Sequence, residues 1–267
     1  MNLALYRQMF KVHAKSFFSY GIGSAFYLVL IISIFPSIAN APGLNELMES
    51  LPKEFLAAFG MEGGFQELSD FIAGEYYGLL YIVILAIFSI MTATQLIARL
   101  VDRGSLAYLL STPNSRTKIA LTQALVLCTG LLIIGLFTTL TGIIGADLMI
   151  EEMFEQSAFI KMNIVGILVF FVISGYSFLF SSLFNDERRA LGLSAILTLL
   201  FFGLDMAGKL SEDFEWMRNL SLFSVFEPVE IARGGVDILP VSLALVAAGV
   251  LLFTAAIIIF KKRDLPL

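Results

Sequence analysis

Charge is what this sequence has least of. Asp, Glu, Lys and Arg make up 15% of its 267 residues against 58% hydrophobic, and the mean hydropathy is +0.88. A soluble domain of this size carries about a quarter charged residues, so a water-soluble protein is excluded. Cysteine and histidine are scarcer still, with Cys128 and His13 the single examples. One thiol allows no intrachain disulfide, and one thiol with one imidazole makes no zinc site of the usual kinds. Within its apolar run, Cys128 reads as a small buried hydrophobe. No Gly-x-x-x-x-Gly-Lys-Ser/Thr phosphate loop, Gly-x-Ser-x-Gly elbow or His-Glu-x-x-His pair occurs. The chain is therefore not expected to hydrolyse ATP, hold a metal or cofactor, act as an enzyme by itself, or bind nucleic acid.

What it has is long apolar runs. They exceed the length of core helices, and the short alternating segments of a membrane barrel are missing, so the fold expected is all-α and integral to the membrane. Six spans are read at about 17–38, 76–96, 119–146, 162–184, 190–207 and 239–260, in one transmembrane domain over 1–267. A signal peptide was weighed for the first, because Ala39-Asn40-Ala41 resembles a cleavage site. The run is longer than a signal core of about 7–15 residues, and a retained span is preferred. Tyr76, Tyr77 and Tyr81 at the head of the second span read as an interfacial aromatic girdle.

Six spans put both termini on one side. Twelve of the seventeen Lys and Arg fall there, while eighteen of the twenty-two Asp and Glu fall on the other side. The positive-inside rule then makes the termini cytoplasmic. Before the first span, Leu3, Tyr6, Met9 or Phe10 and His13 recur at helical spacing, as do Arg7, Lys11 and Lys15, predicting a basic amphipathic helix on the anionic lipid surface. Residues 40–75 hold Glu46, Glu49, Glu54, Glu62, Glu67, Asp70 and Glu75. Leu44, Leu47, Met48, Leu51, Phe55, Leu56 and Phe59 run among them at helical spacing, predicting short helices on the outer surface. Glu151, Glu152 and Glu155 make a short acidic loop after the third span. Between Lys209 and Leu239, aromatic and acidic residues interleave around Pro228 and Gly234-Gly235, which suits short helices dipping into the outer leaflet or lying flat on it.

One polar interruption organises the rest. Residues 99–118 read RLVDRGSLAYLLSTPNSRTK, with an apolar centre, Leu106 to Leu110, far too short to cross a bilayer. Gly104 and Ser105 turn the chain into this piece and Ser111-Thr112-Pro113 turn it out, predicting a short surface helix with cationic flanks. An ordinary loop is the alternative. The run Asp102-Arg103-Gly104-Ser105-Leu106, followed by Leu109-Leu110-Ser111-Thr112-Pro113-Asn114-Ser115-Arg116, resembles the signature of type-2 ATP-binding-cassette (ABC) exporter permeases, with Asp102 where members often have Glu. The layout is similar too: elbow helix, six spans, partly inserted hairpin before the sixth, and a Lys-Arg-Asp-Leu tail.

The resemblance implies a bacterial plasma-membrane permease that pairs with a second permease copy, identical or closely related. Two copies of a separate ATPase, carrying ATP and Mg, would bind below. It also implies that residues 104–110 form the coupling helix docked on that ATPase, with Arg103, Gly104, Leu106, Tyr108, Leu109 and Arg116 carrying the contact. An elbow helix bearing Tyr6, Arg7, Phe10 and Lys11 would move with it.

Polar residues inside the spans are few and mild. Thr92 and Gln95, then Thr138, Thr139 and Thr141, then Ser174 and Ser177 line a translocation path on one reading. On the other they bond back to their own helices or glue neighbouring ones. Asp205 and Lys209, four apart, read as an interfacial helical pair. Gly130, Gly135, Gly142 and Gly145 read as close helix packing. With 25 Phe and 10 Met, any internal route favours lipophilic or amphipathic cargo, such as an antibiotic, peptide or drug. A stand-alone carrier or channel would need a titratable residue at the midplane. A polytopic enzyme or sensor would need a nucleophile–base pair. Neither is found.

Overall fold

The computed structural model describes residues 2–41, 43, 50–58, 67–150 and 154–264. The expectations placed on Leu44, Glu46, Leu47, Met48, Glu49, Phe59, Glu62, Glu151 and Glu152 lie outside them. Among the described residues the chain is all-helical, and six helices are long and apolar enough to span a membrane: Leu3–Ala39, Leu68–Asp102, Arg116–Met149, Gln156–Leu183, Glu187–Leu210 and Ile238–Lys262. Four of them begin on a side chain that accepts a hydrogen bond from an otherwise unpaired backbone N–H. Asn2 accepts from Leu5, Ser115 from Lys118, Asp186 from Arg189 and Asp237 from Leu239.

The spans pack as two pairs. The first lies along the third, where ring and aliphatic side chains fill the space glycines leave. A methyl group on Gly130 would sit 2.8 Å from the Phe17 ring, and one on Gly21 would be 3.2 Å from that of Phe137. The fourth lies along the sixth. Phe171 and Phe178 meet Phe253 at 5.2 and 5.6 Å, and Phe171 fills the notch at Gly249. The second span sits between the pairs, with Phe88 against Phe17 and Tyr81 against Phe170. The fifth presents Ile196, Leu199 and Leu200 outward.

Two expectations are corrected. The basic N-terminal stretch is no separate helix, because Leu3–Ala39 runs unbroken. Its buried stripe, Leu5, Met9, His13, Phe17, Gly21, Ser24 and Leu28, continues from the basic turns into the apolar ones without a register change, so packing on the third span holds it as one element. Arg7, Lys11 and Lys15 do form an exposed face.

The tyrosines of the second span are not interfacial either. Tyr76, Tyr77 and Tyr81 are fully buried, their rings 4.9–5.5 Å apart, at centroid. The reason is local: Ala73–Leu80 is a π-helix, whose wider turn brings residues five apart onto one face. Tyr76 and Tyr81 are such a pair. The span also starts earlier than hydropathy indicated, at Leu68, and takes Asp70 inside the fold. There Asp70 is paired with Arg233 at 3.0 Å, from the short helix-turn after the fifth span.

Candidate functional site

The second span breaks at Ile97, whose backbone leaves helical geometry (φ −129°, ψ −65°). The amide of Ala98 donates to Ser181 Oγ at 2.9 Å, anchoring the break on the fourth span. A turn and a half of helix follows, Ala98–Asp102, and stops at Gly104, which has φ +68°. This left-handed geometry is open to glycine at little cost, and it swings the chain into the helix Leu106–Leu110. Leu106 is completely buried and pins that helix to the bundle. Leu109 is half-buried, whereas Arg103 is exposed and Tyr108 is 79% exposed. The exit is fixed by side chains bonding back to carbonyls: Ser111 to Tyr108 at 2.9 Å and Thr112 to Leu109 at 2.5 Å.

Both ends of the segment are tied to other spans. At its entry, Asp102 accepts from the Glu187 amide at 3.3 Å, and Arg99 lies 3.9 Å from the Glu187 carboxylate, at the start of the fifth span. At its exit, Asn114 accepts from the Asn2 side chain at 2.6 Å, where the first span begins. Arg116 donates to the carbonyl of Arg263 at 2.7 Å, where the sixth span ends. Arg263 in turn reaches the end of the fourth span, donating to the carbonyls of Ser182 and Phe184 and to the Asn185 side chain. Burial and the charge of Arg116 both lower the Arg263 pKa. Of the N-terminal residues, Tyr6 shares a hydrogen bond with Thr129 at 2.8 Å, and Phe10 stacks between Tyr6 and Phe17. Arg7 and Lys11 are exposed. Sequence reading missed Asn2, Glu187 and Arg263. The first two carry no motif, and Arg263 was visible only as part of a basic tail.

The polar residues of the spans do not gather into one lining. Thr138 joins Ser24 and Tyr76 in a buried cluster (2.9 and 3.3 Å) and also donates to Ile134 O of its own helix. Thr139 bonds back to Gly135 O. Thr92 is buried; Gln95 and Thr141 are half-buried. Ser174 and Ser177 are fully buried on the fourth span, their hydroxyls without a partner among the described residues.

The profile of the ABC-2 family transporter proteins matches residues 16–265. The chain belongs to the ABC-2 transporter family. It is a membrane subunit of an ABC transporter, a kind of assembly in which a partner ATPase supplies the hydrolysis. No curated protein matches the chain.

At the end of this ABC-2 permease remote from its termini, the fifth span is lashed to the segment that follows it. Asp205, almost wholly buried, pairs with Lys209 at 3.0 Å as expected, and also with Arg218 at 3.4 Å; Arg218 pairs in addition with Glu227. Burial opposes the Arg218 charge, but the Glu227 and Asp205 carboxylates outweigh it and raise the pKa. The Arg218 chain lies over Gly208, where an added methyl group would come within 2.4 Å. Beside this network is a cavity of about 1220 Å³ whose walls include Tyr77, Ile82, Phe202, Asp205, Phe223 and Phe226. Its lining joins an apolar floor to a charged rim. Phe214, Trp216 and Leu220, in the segment that follows the fifth span, are exposed.

Proposed function

We propose that this permease is half of an exporter. Two copies, identical or closely related, pair in a bacterial plasma membrane with both termini in the cytoplasm, and two ATPase subunits carrying ATP and Mg bind beneath them. The cargo is lipophilic or amphipathic, of the size of an antibiotic, peptide or drug. Sidedness rests on the segregation of Lys and Arg toward the termini end. The direction of transport rests on the signature of residues 102–116.

The single observation that carries the coupling role is the posture of the helix Leu106–Leu110: Leu106 is buried as an anchor, Tyr108 stands exposed on the helix, and Arg103 is exposed in the turn before it. Tyr and Arg are among the residue types enriched at the hot spots of protein interfaces. A helix free on one side and bonded to the first, fifth and sixth spans at its ends suits a lever. ATP-driven approach of the two ATPases would press on Tyr108, and the bonded ends would carry the displacement into the spans, shifting the dimer between inward-open and outward-open states. The N-terminal turns bearing Tyr6, Arg7, Phe10 and Lys11 would move with them, held by the Tyr6–Thr129 bond.

The test is purification of the full chain in mild detergent together with the ATPase co-expressed from its own genomic neighbourhood. The wild type is expected to retain the ATPase, and Tyr108→Ala to release it with the melting temperature unchanged. Undiminished retention by Tyr108→Ala counts against the assignment.

A further inference from the structure

The termini end holds one side chain whose contacts join helices that otherwise meet mainly along their apolar faces. Arg263 is the cap of the sixth span, its amide bonded to Ile259 O. Its carbonyl receives Arg116, the first residue of the third span, near the end of the polar segment. Its guanidinium turns the other way, onto the carbonyls of Ser182 and Phe184 and the Asn185 side chain, where the fourth span ends and the turn to the fifth begins. Those carbonyls belong to the unpaired last turn of a helix, where the backbone dipole also favours a cation. Through one residue, the third span is thus bonded to the sixth and the sixth to the fourth.

We propose that Arg263 is a positioning residue for energy coupling: it transmits displacement of the Leu106–Leu110 helix from the first and third spans to the fourth and sixth. This rests on the coupling role proposed above. The third span also packs on the fourth within the bundle, where a methyl group on Gly142 would meet the Phe159 ring at 2.2 Å, and the Arg263 bonds tie the same spans at the termini end. Pushing the polar segment moves the first and third spans directly, through Asn2 and Arg116. The fourth and sixth follow because Arg116 holds the Arg263 carbonyl while the Arg263 guanidinium holds the fourth span. Lysine would keep the charge without the planar fork that addresses several acceptors at once. Arg263→Lys is therefore expected to restore function only in part.

The test uses the permease–ATPase complex in nanodiscs, with Cys128→Ser and a spin label on a cysteine at the exposed Leu239, at the end of the sixth span remote from the termini, so that the distance is read between the two permease copies. In the wild type, ATP with Mg is expected to shift the distance between the labels. In Arg263→Gln the ATPase should remain bound and hydrolyse ATP, the melting temperature should hold, and the distance shift should be lost. Arg116→Gln, which replaces the guanidinium by a shorter, neutral amide but leaves Arg263 bonded to the fourth span, should lose it too. A structural role alone would lower the melting temperature without separating hydrolysis from movement. A full distance shift in either glutamine variant overturns the proposal. No shift in the wild type, or no bound ATPase, overturns the coupling role itself and the proposal with it.

Discussion

Leu106 and Tyr108 are two residues apart and do opposite work. Leu106 is wholly buried, so truncation to alanine empties a packed site and should lower stability by about 2–5 kcal/mol, read as a fall in the melting temperature of the detergent-purified protein. Tyr108 stands in solvent, and its truncation should leave that temperature within about 1 °C of wild type. Sequence alone put both in one functional set, because apolar residues in a short helix carry no mark of which side faces the bundle. Gly104 was legible for a better reason. Gly104, with Ser105, reads as the turn into the short helix, and its φ of +68° is how the chain makes that turn. Gly104→Ala should cost about 1 kcal/mol at a position where a methyl group meets nothing within 4 Å, so backbone strain accounts for the loss.

Among elements, the long helices were the most readable, since an apolar run of span length has few alternatives. Their ends were less so. The first span extends back to Leu3 because its buried stripe continues through the basic turns, a continuity hidden when Arg7, Lys11 and Lys15 are read as a surface face. The π-turn of the second span was invisible. The glycines and Glu75 of AGEYYGLL do not by themselves mark a wide turn, and the packing of the three buried tyrosines is a tertiary feature. Deleting Gly78 should restore α-helical spacing and leave Tyr76 and Tyr81 four apart, still on one face. The expected outcome is folded, monodisperse protein in size-exclusion chromatography; a large loss of it would mean that the wide turn itself is required. Fifth-span anchoring makes a second claim at this scale. Arg218→Met strips Glu227 of its cation but leaves Asp205 paired with Lys209, so the segment 212–227 should become protease-sensitive while the six spans stay folded, a pattern readable by limited proteolysis.

The molecule as a whole is two close-packed helix pairs with a central span between them, crossed at one end by bonds that converge on a short exposed helix. A short helix does stand at Leu106–Leu110, inside the polar interruption between two apolar runs, where the turn residues on either side predict one. The bonds were not legible: Asn2, Glu187 and Arg263 lie 85 to 147 residues from the partners that give them meaning (Asn114, Asp102 and Arg116), and local spacing carries no trace of such pairings. Sidedness belongs to this scale too. A thiol reagent that cannot cross membranes should label a cysteine at Leu148 in intact cells and leave one at Ser115 unlabelled until the cells are opened; the reverse pattern would invert the topology.

The most direct measurement is a photo-crosslinking amino acid placed at position 108 in living cells, followed by identification of whatever it captures. The account predicts covalent capture of an ATP-binding-cassette ATPase, absent when the same group is placed at position 216. Capture of an ATPase from position 216 and none from 108 would contradict it.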